Sequence, residues 1–394
     1  EDGGATYHQR YTTWECVRGQ EGDNWQPIVG FSGGPAPTRN ICGEPEDNWV
    51  GQDFANRTAM KEVSLQPQCR TFQKGLEFLD NNHGKDNWFL QIETFDPHEP
   101  FFSQPEYQKL FPDQYDGPFC DWPDYRPVNG EDSPEFIDHM RKQYAAVLKL
   151  CDENLGKVLD AMDRYSLWED TMLIVNTDHG FLLAEHGQWA KCHCPFYGEV
   201  AHTPLFIWDP RSRRKNVRTS QLVQTIDLPA TLLEYFGQPL FSDMEGRSLR
   251  PVLEKDEPVR NAALFGIFGG QVCCTDGKWV YMRSPLPENQ PRYEYTLMPT
   301  RHGGRRAFIN NDVLQTMELN QPFSFTKGIP VLRLESTNPV SQAGYPTMLF
   351  HLETDPNEEH PLNNPEEEQR MMALMKKMMT ENDCPKEQFA RMGL

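Results

Sequence analysis

Two places in the chain set ionisable side chains directly after an apolar run. Residues 171–176, Thr-Met-Leu-Ile-Val-Asn, are mostly β-prone and apolar, and Thr177 leads straight into Asp178, His179 and Gly180. A carboxylate beside an imidazole can ligate a metal ion. The same pair can do no more than cap a turn, and the residue types alone leave both readings open. The second run, residues 88–95, is followed by Asp96-Pro97-His98-Glu99-Pro100-Phe101. Prolines on both sides of His98 are expected to hold that loop extended. Glu185 and His186 follow the first site, but the gap from His179 to His186 is not a zinc-protease spacing and favours a structural role. Cys192 and Cys194 have no second pair at zinc-finger distance and read as ordinary thiols.

The elements that must position these groups can be read from periodicity. Phe72, Leu76 and Leu79 recur at helical spacing and predict a helix over Thr71–Asn81. Trp88–Phe95 reads as a strand. Ser133 and Pro134 give an N-cap and a first-turn proline for a long helix to about Tyr165. Its apolar stripe is Ile137, Met140, Tyr144, Val147, Cys151, Leu155, Val158 and Met162. Strands are expected at Thr171–Asn176, buried on both faces, and at Pro204–Trp208, and a helix at Ile226–Phe236, stopped by Gly237. This alternation predicts an α/β fold with a mostly parallel sheet sandwiched by helices, in which ligands sit beyond the carboxyl ends of the strands. From about Ala262 the texture changes. Val272–Arg283 reads as a hairpin around Asp276-Gly277. Residues 284–346 are irregular and carry Arg301, His302, Arg305 and Arg306. Met348–Leu352 reads as a strand, and Pro365 opens a Met-rich helix to about Thr380 whose methionines suit core packing. The expected domains are 1–255, catalytic α/β, and 256–394, a smaller α+β subdomain.

Charge and composition exclude some functions. The net charge of −20, from 58 acidic against 38 basic side chains, repels duplex nucleic acid, and no basic aromatic patch offsets it. An anionic substrate would need a metal and a few cations to invert the field locally. No apolar run reaches membrane-spanning length, so no integral membrane segment is expected. Ten cysteines at irregular spacings do not form a disulfide framework and slightly favour a reducing, cytoplasmic compartment. The chain opens on Glu1 in polar sequence and reads as the continuation of something, so an export signal would lie upstream.

Taken together, these motifs resemble the type I sulfatases of the alkaline phosphatase superfamily. Asn176 to Lys191, running on to His202-Thr203-Pro204-Leu205, is similar to the family's second signature region. Phe95–Phe101 resembles its substrate-histidine loop. Gly246-Arg247-Ser248-Leu249 with Pro251-Val252-Leu253 resembles its link into the C-terminal subdomain, and Phe350–Pro356 a strand and turn near its C-terminus. These landmarks fall in family order over roughly residues 88–360.

The resemblance implies an alkaline phosphatase-like fold and hydrolysis of a sulfate ester on a carbohydrate or aryl group. Asp178 and His179 would ligate a divalent cation, Ca²⁺ in most of these enzymes. Lys191 would contact the sulfate and the leaving oxygen, and His98 would bind the sulfate and help protonate the leaving group. Arg305 and Arg306 would recognise a second anionic group on the substrate, the alternative being a solvated loop. The family's nucleophile is formylglycine, made from Cys or Ser in Cys/Ser-x-Pro-Ser/Thr-Arg, and no such motif is present. Pro35-Ala36-Pro37-Thr38-Arg39 has its tail with proline at the nucleophile position, and Cys192-His193-Cys194-Pro195 lacks its arginine. The resemblance therefore implies that the family's N-terminal segment is missing and that this chain is inactive alone. A phosphonate or phosphodiester hydrolase of the same superfamily and a non-catalytic sulfatase-like binding protein are the alternatives. Oligomeric state is not legible.

Overall fold

The computed structural model describes residues 7–31, 33–34, 49–298, 311–336 and 344–394. The chain divides into two compact units. One comprises residues up to Met172 together with Leu182–Ala190; the other comprises Leu173–Phe181 and Lys191–Leu394. The division does not coincide with 255/256, because residues 173–181 are tied by backbone bonds to the segment 199–208.

In the first unit three helices carry the packing: α1 (Trp49–Arg57), α2 (Pro67–Asn82) and α3 (Pro134–Arg164). The Ser133 hydroxyl accepts the Phe136 N–H at 3.2 Å, so α3 starts where the cap and proline place it. Of the expected stripe Met140, Val147, Val158 and Met162 are buried and Ile137, Tyr144, Cys151 and Leu155 half-buried, while Phe136, Ala146, Leu150, Asn154 and Ala161 complete the buried face. Asn154 is buried because its amide donates to Gln68 Oε1 and Cys69 Sγ of α2, both at 3.3 Å. Helix α1 buries polar residues, Asp53 and Asn56, beside Ala55. It is fixed by Arg57, which pairs with Asp53 and Asp121 at 2.6 Å each and lies between the rings of Phe54 and Phe102.

Residues 88–95, expected to form a strand, alternate between half-buried and exposed and form no ladder among the described residues. They lie on α2 instead: Trp88 meets Phe78 edge-on, and Ile92 fills the space over Gly75, where a Cβ would come within 2.3 Å of its side chain. The following loop is also not extended. It turns through cis Asp96–Pro97 and cis Glu99–Pro100 bonds, with the His98 N–H donating to Phe95 O at 3.2 Å.

In the second unit, β1 (Leu173–Asn176) pairs with β2 (Leu205–Trp208) antiparallel, Asn176 opposite Leu205 and Leu173 opposite Trp208. The parallel arrangement expected of these two strands is corrected by their connection. A parallel return needs a crossover, usually helical, and the longest helix between them is the four-residue Gly198–Ala201. Every described ladder is antiparallel. Nor is β1 buried on both faces: Leu173–Val175 are half-buried and Asn176 is exposed.

Helix α4 (Asp227–Tyr235) ends as expected at Gly237, which adopts a φ of 65°. Buried Asp227 organises this region, accepting from the N–H groups of Gln224 and Arg247 and from the Arg260 guanidinium. The Gly246 Cα sits so close to the Ile226 carbonyl that a Cβ would lie 1.9 Å from its oxygen. The Gly-Arg-Ser-Leu sequence is thus a tight structural link.

Strands β3 (Ala263–Gly266), β4 (Val272–Thr275), β5 (Trp279–Arg283), β6 (Tyr293–Thr296), β7 (Glu318–Asn320), β8 (Val331–Glu335) and β9 (Met348–His351) build two sheets, ordered β9-β5-β4-β3 and β6-β8-β7. The expected hairpin is β4–β5, with Gly277 at a φ of 87° in its turn. Helix α5 (Pro365–Glu381) packs Met371, Met375 and Met379 on Cys274, Tyr281 and Leu349 of the first sheet. Each buried methionine contributes roughly 1.5–3 kcal/mol, which supports the packing role read from sequence. The second sheet lies in the stretch that reads as irregular, since its strands are short and Leu319 is 73% exposed.

Candidate active site

Strand β1 runs into a turn whose shape is set by its glycine. The Gly180 N–H donates to Val200 O at 2.9 Å, and a Cβ on Gly180 would lie 1.8 Å from the Glu199 carbonyl oxygen. Just before it, Asp178 Oδ1 accepts the His179 N–H at 2.8 Å and the Thr177 hydroxyl at 3.3 Å. The His179 Nδ1 lies 2.9 Å from Gly180 O. A carbonyl only accepts, so Nδ1 carries the proton and Nε2 presents a lone pair. That Nε2 is 3.6 Å from Asp178 Oδ2, and both side chains are open to solvent. Adjacent ligands of an octahedral cation bound at 2.3–2.6 Å lie about 3.3–3.7 Å apart, so the pair fits two neighbouring positions on one divalent ion. Partial desolvation alone would raise the Asp178 carboxyl, but the His179 N–H and imidazole outweigh it and hold the group below the usual carboxylate range.

Lys191 belongs to the same unit. It is only 7% exposed, and its Nζ stands 5.8 Å from the centre of the Phe181 ring, the residue after Gly180. This contact holds the ammonium against the ring of the residue that leaves the turn. The backbone on both sides is unusual, with positive φ at Ala190 and Cys192. Non-glycine residues in this region cost energy and concentrate at functional sites.

His98 lies in the first unit. Its Nδ1 is 2.5 Å from the backbone oxygen of Glu99 and 3.3 Å from that residue's Oε2, and Phe95 packs against the ring at 4.2 Å. Glu99 is 1% exposed, and its Oε1 accepts the Tyr125 hydroxyl. Asp96, two residues before His98, is buried and accepts Gln20 Nε2 at 2.6 Å; burial pushes its carboxyl up to about 7, against the Gln20 and Gln68 hydrogen bonds. Neither Glu99 nor Tyr125 is singled out by the sequence. The available signal is a carboxylate directly after the histidine.

The basic cluster Arg301, His302, Arg305 and Arg306, and the stretch Pro35–Arg39, lie outside the described residues. Cys192 and Cys194 are thiols not joined in a disulfide, and burial pushes Cys194 up to about 12. Asp355, Glu359 and His360 bring ligating atoms within 4.8 Å of one another, a cluster the sequence reading missed. Asp355 there accepts the backbone N–H groups of Glu359 and His360, so it also holds its own turn. No helix among the described residues is long and apolar enough to cross a membrane.

Solved structures place this architecture. The chain superposes with a TM-score of 0.55 on BT4656 in complex with its substrate D-glucosamine-2-N,6-O-disulfate, at 16% identity, covering 81% of this chain and 70% of that one. It matches the phosphonate monoester hydrolase of Silicibacter pomeroyi equally, at 17% identity over 82% and 62% of the two chains. The fold is alkaline phosphatase-like, mixed α/β with small sheets. Within that class the assignment is narrower: the Sulfatase family profile matches residues 36–238, half of the chain, and the protein belongs to the sulfatase family. Among curated relatives it is 32% identical over 122 residues to the N-acetylglucosamine-6-O-sulfatase of Bacteroides thetaiotaomicron, covering 31% of this chain and 21% of that one. It is 24% identical over 256 residues to the choline-sulfatase of Rhizobium meliloti, covering 58% and 48%. The chain thus spans between about a fifth and a half of the curated relatives it matches. Sulfatases generally use a divalent metal.

Proposed function

We propose that this protein hydrolyses sulfate esters on carbohydrates, with Asp178 and His179 holding a divalent cation, Ca²⁺ by preference, and with Lys191 and His98 serving the leaving group. The observation that carries the proposal is the Asp178–Gly180 turn, where family membership meets a carboxylate and an imidazole lone pair 3.6 Å apart. An ion bound there would neutralise sulfate oxygens and stabilise the charge that grows on them. Lys191 contributes an ammonium for the sulfate and leaving oxygen, delivered from a largely buried stem. His98 gives its Nε2 proton to the leaving oxygen as the ester bond breaks. Without that proton the product would be an alkoxide, which in water is costly. Arg305 and Arg306 are proposed to contact a second anionic group of the substrate. A carbohydrate substrate is supported by the relatives named for N-acetylglucosamine and glucosamine sulfates.

The test is turnover by the protein expressed from its complete gene. N-acetylglucosamine 6-sulfate and 4-nitrophenyl sulfate should be hydrolysed, and Lys191→Ala should lose most of that activity. Faster cleavage of a phosphonate monoester or phosphodiester would favour the related hydrolase activity of the superfamily. Saturable binding of the sulfated sugar without turnover would mark a sulfatase-like binding protein.

A further inference from the structure

We infer that Glu99, buttressed by Tyr125, is the positioning residue that fixes the tautomer and charge of His98; this rests on the proposed role of His98 as proton donor. The Glu99 carbonyl oxygen is hydrogen-bonded to Nδ1 of the ring at 2.5 Å, and the Glu99 carboxylate oxygen Oε2 lies 3.3 Å from the same nitrogen, at ion-pair distance without a hydrogen bond. Neither can donate, so the Nδ1 proton is held in place, and the proton given to substrate in the proposed role is the one on Nε2. The carboxylate is 1% exposed. Its second oxygen is engaged by the Tyr125 hydroxyl, which prevents the carboxylate from turning away from the ring. On its own side the ring rests against Phe95 at 4.2 Å. Among the other titratable groups nearby, the Asp96 carboxyl is turned to Gln20.

A buried negative charge beside an imidazole favours the imidazolium. The chemistry then balances simply. His98 begins with protons on both nitrogens; the Nε2–H bond breaks as an O–H bond forms on the leaving oxygen; the electron pair left on Nε2 gives a neutral ring that keeps Nδ1–H against Glu99. The carboxylate neither gives nor takes a proton in this step and touches no substrate atom. A histidine without this partner would populate both neutral tautomers and lose its charge at lower pH, so it would arrive at the ester less often with a proton to give.

The experiment is a ring ¹⁵N titration by long-range ¹H–¹⁵N correlation on the full chain, which needs no turnover. We expect His98 above its midpoint to be the Nδ1–H tautomer. In Glu99→Gln its midpoint should fall by about one pH unit or more, a tenfold loss of proton affinity, and in Tyr125→Phe by a smaller amount in the same direction. If Glu99→Gln does not fold, Tyr125→Phe and the wild-type tautomer decide. An Nε2–H tautomer in the wild type, or midpoints unchanged in the variants, overturns the inference. A confirmed tautomer in a protein that hydrolyses no sulfate ester would instead overturn the functional proposal and leave the Glu99 assignment standing.

Discussion

Gly180 and Glu199 approach so closely that no side chain fits between them. A Cβ on Gly180 would stand 1.8 Å from the Glu199 carbonyl oxygen, and the Gly180 N–H is already committed to Val200 O at 2.9 Å. The obstacle is backbone, so it cannot rotate away. Gly180→Ala should therefore displace the turn that presents Asp178 and His179 and destabilise the second unit by roughly 2–4 kcal/mol, in the range of overpacking and strain. Chemical denaturation followed by circular dichroism measures this. A variant as stable as the parent would show that the turn does not depend on this contact.

Asp178 and His179 should behave as a pair toward a cation. Terbium luminescence, with Ca²⁺ and Mg²⁺ as competitors, reads the site directly. Asp178→Asn should weaken binding at least about tenfold through loss of charge at a hard-ion site. His179→Asn keeps a neutral oxygen donor and should weaken it less. Equal loss in Asp355→Asn and none in Asp178→Asn would move the ion to the Asp355–Glu359–His360 turn.

How much of this was legible in sequence depended on how local its cause was. The Ser133 cap, the proline at the start of α3, the Asp276-Gly277 turn and the methionine stripe of α5 are each specified by a few neighbouring residues, and each is found where periodicity puts it. Strand direction is not local: apolar runs of the same composition can pair either way, and the 177–204 connection between β1 and β2 carries no long crossover helix. Helix α1 was missed because a buried ion cluster, Asp53–Arg57–Asp121, fixes it instead of an apolar face. The proposed site shows the same split. Asp178, His179, His98 and Lys191 could be named from motif resemblance, whereas Tyr125 reaches Glu99 across 26 residues and leaves no trace in spacing.

Asp96 should make stability fall as pH rises. Its carboxyl is pushed up to about 7 by burial, well above the unfolded value near 4. Between those values the unfolded chain releases the proton while the folded one keeps it, so the folded state binds more protons and loses stability with increasing pH. The contribution is present below about pH 4 and declines by up to about 1.4 kcal/mol per unit until about pH 7. Asp96→Asn, which keeps an acceptor for Gln20, should flatten that decline and be more stable than the parent at pH 8. Urea midpoints at pH 5, 6, 7 and 8 test it, and parallel curves for the two proteins would show that Asp96 is ionised in the fold.

His98 and Lys191 should separate by leaving group. A proton donor matters most when the departing oxygen is strongly basic, as in a sugar alcohol, and least for 4-nitrophenolate, which leaves as an anion. His98→Asn should therefore lower kcat for a sugar sulfate by about 10²–10⁴, the usual worth of general acid catalysis, while 4-nitrophenyl sulfate loses far less. Lys191 acts through charge on sulfate and leaving oxygen together, so Lys191→Met should lower kcat for both substrates by about 10²–10³. Rates for a series of aryl sulfates then give two slopes against leaving-group pKa, steeper than the parent for His98→Asn and close to parallel for Lys191→Met. If both variants gave the same slope, His98 would be binding sulfate without donating a proton.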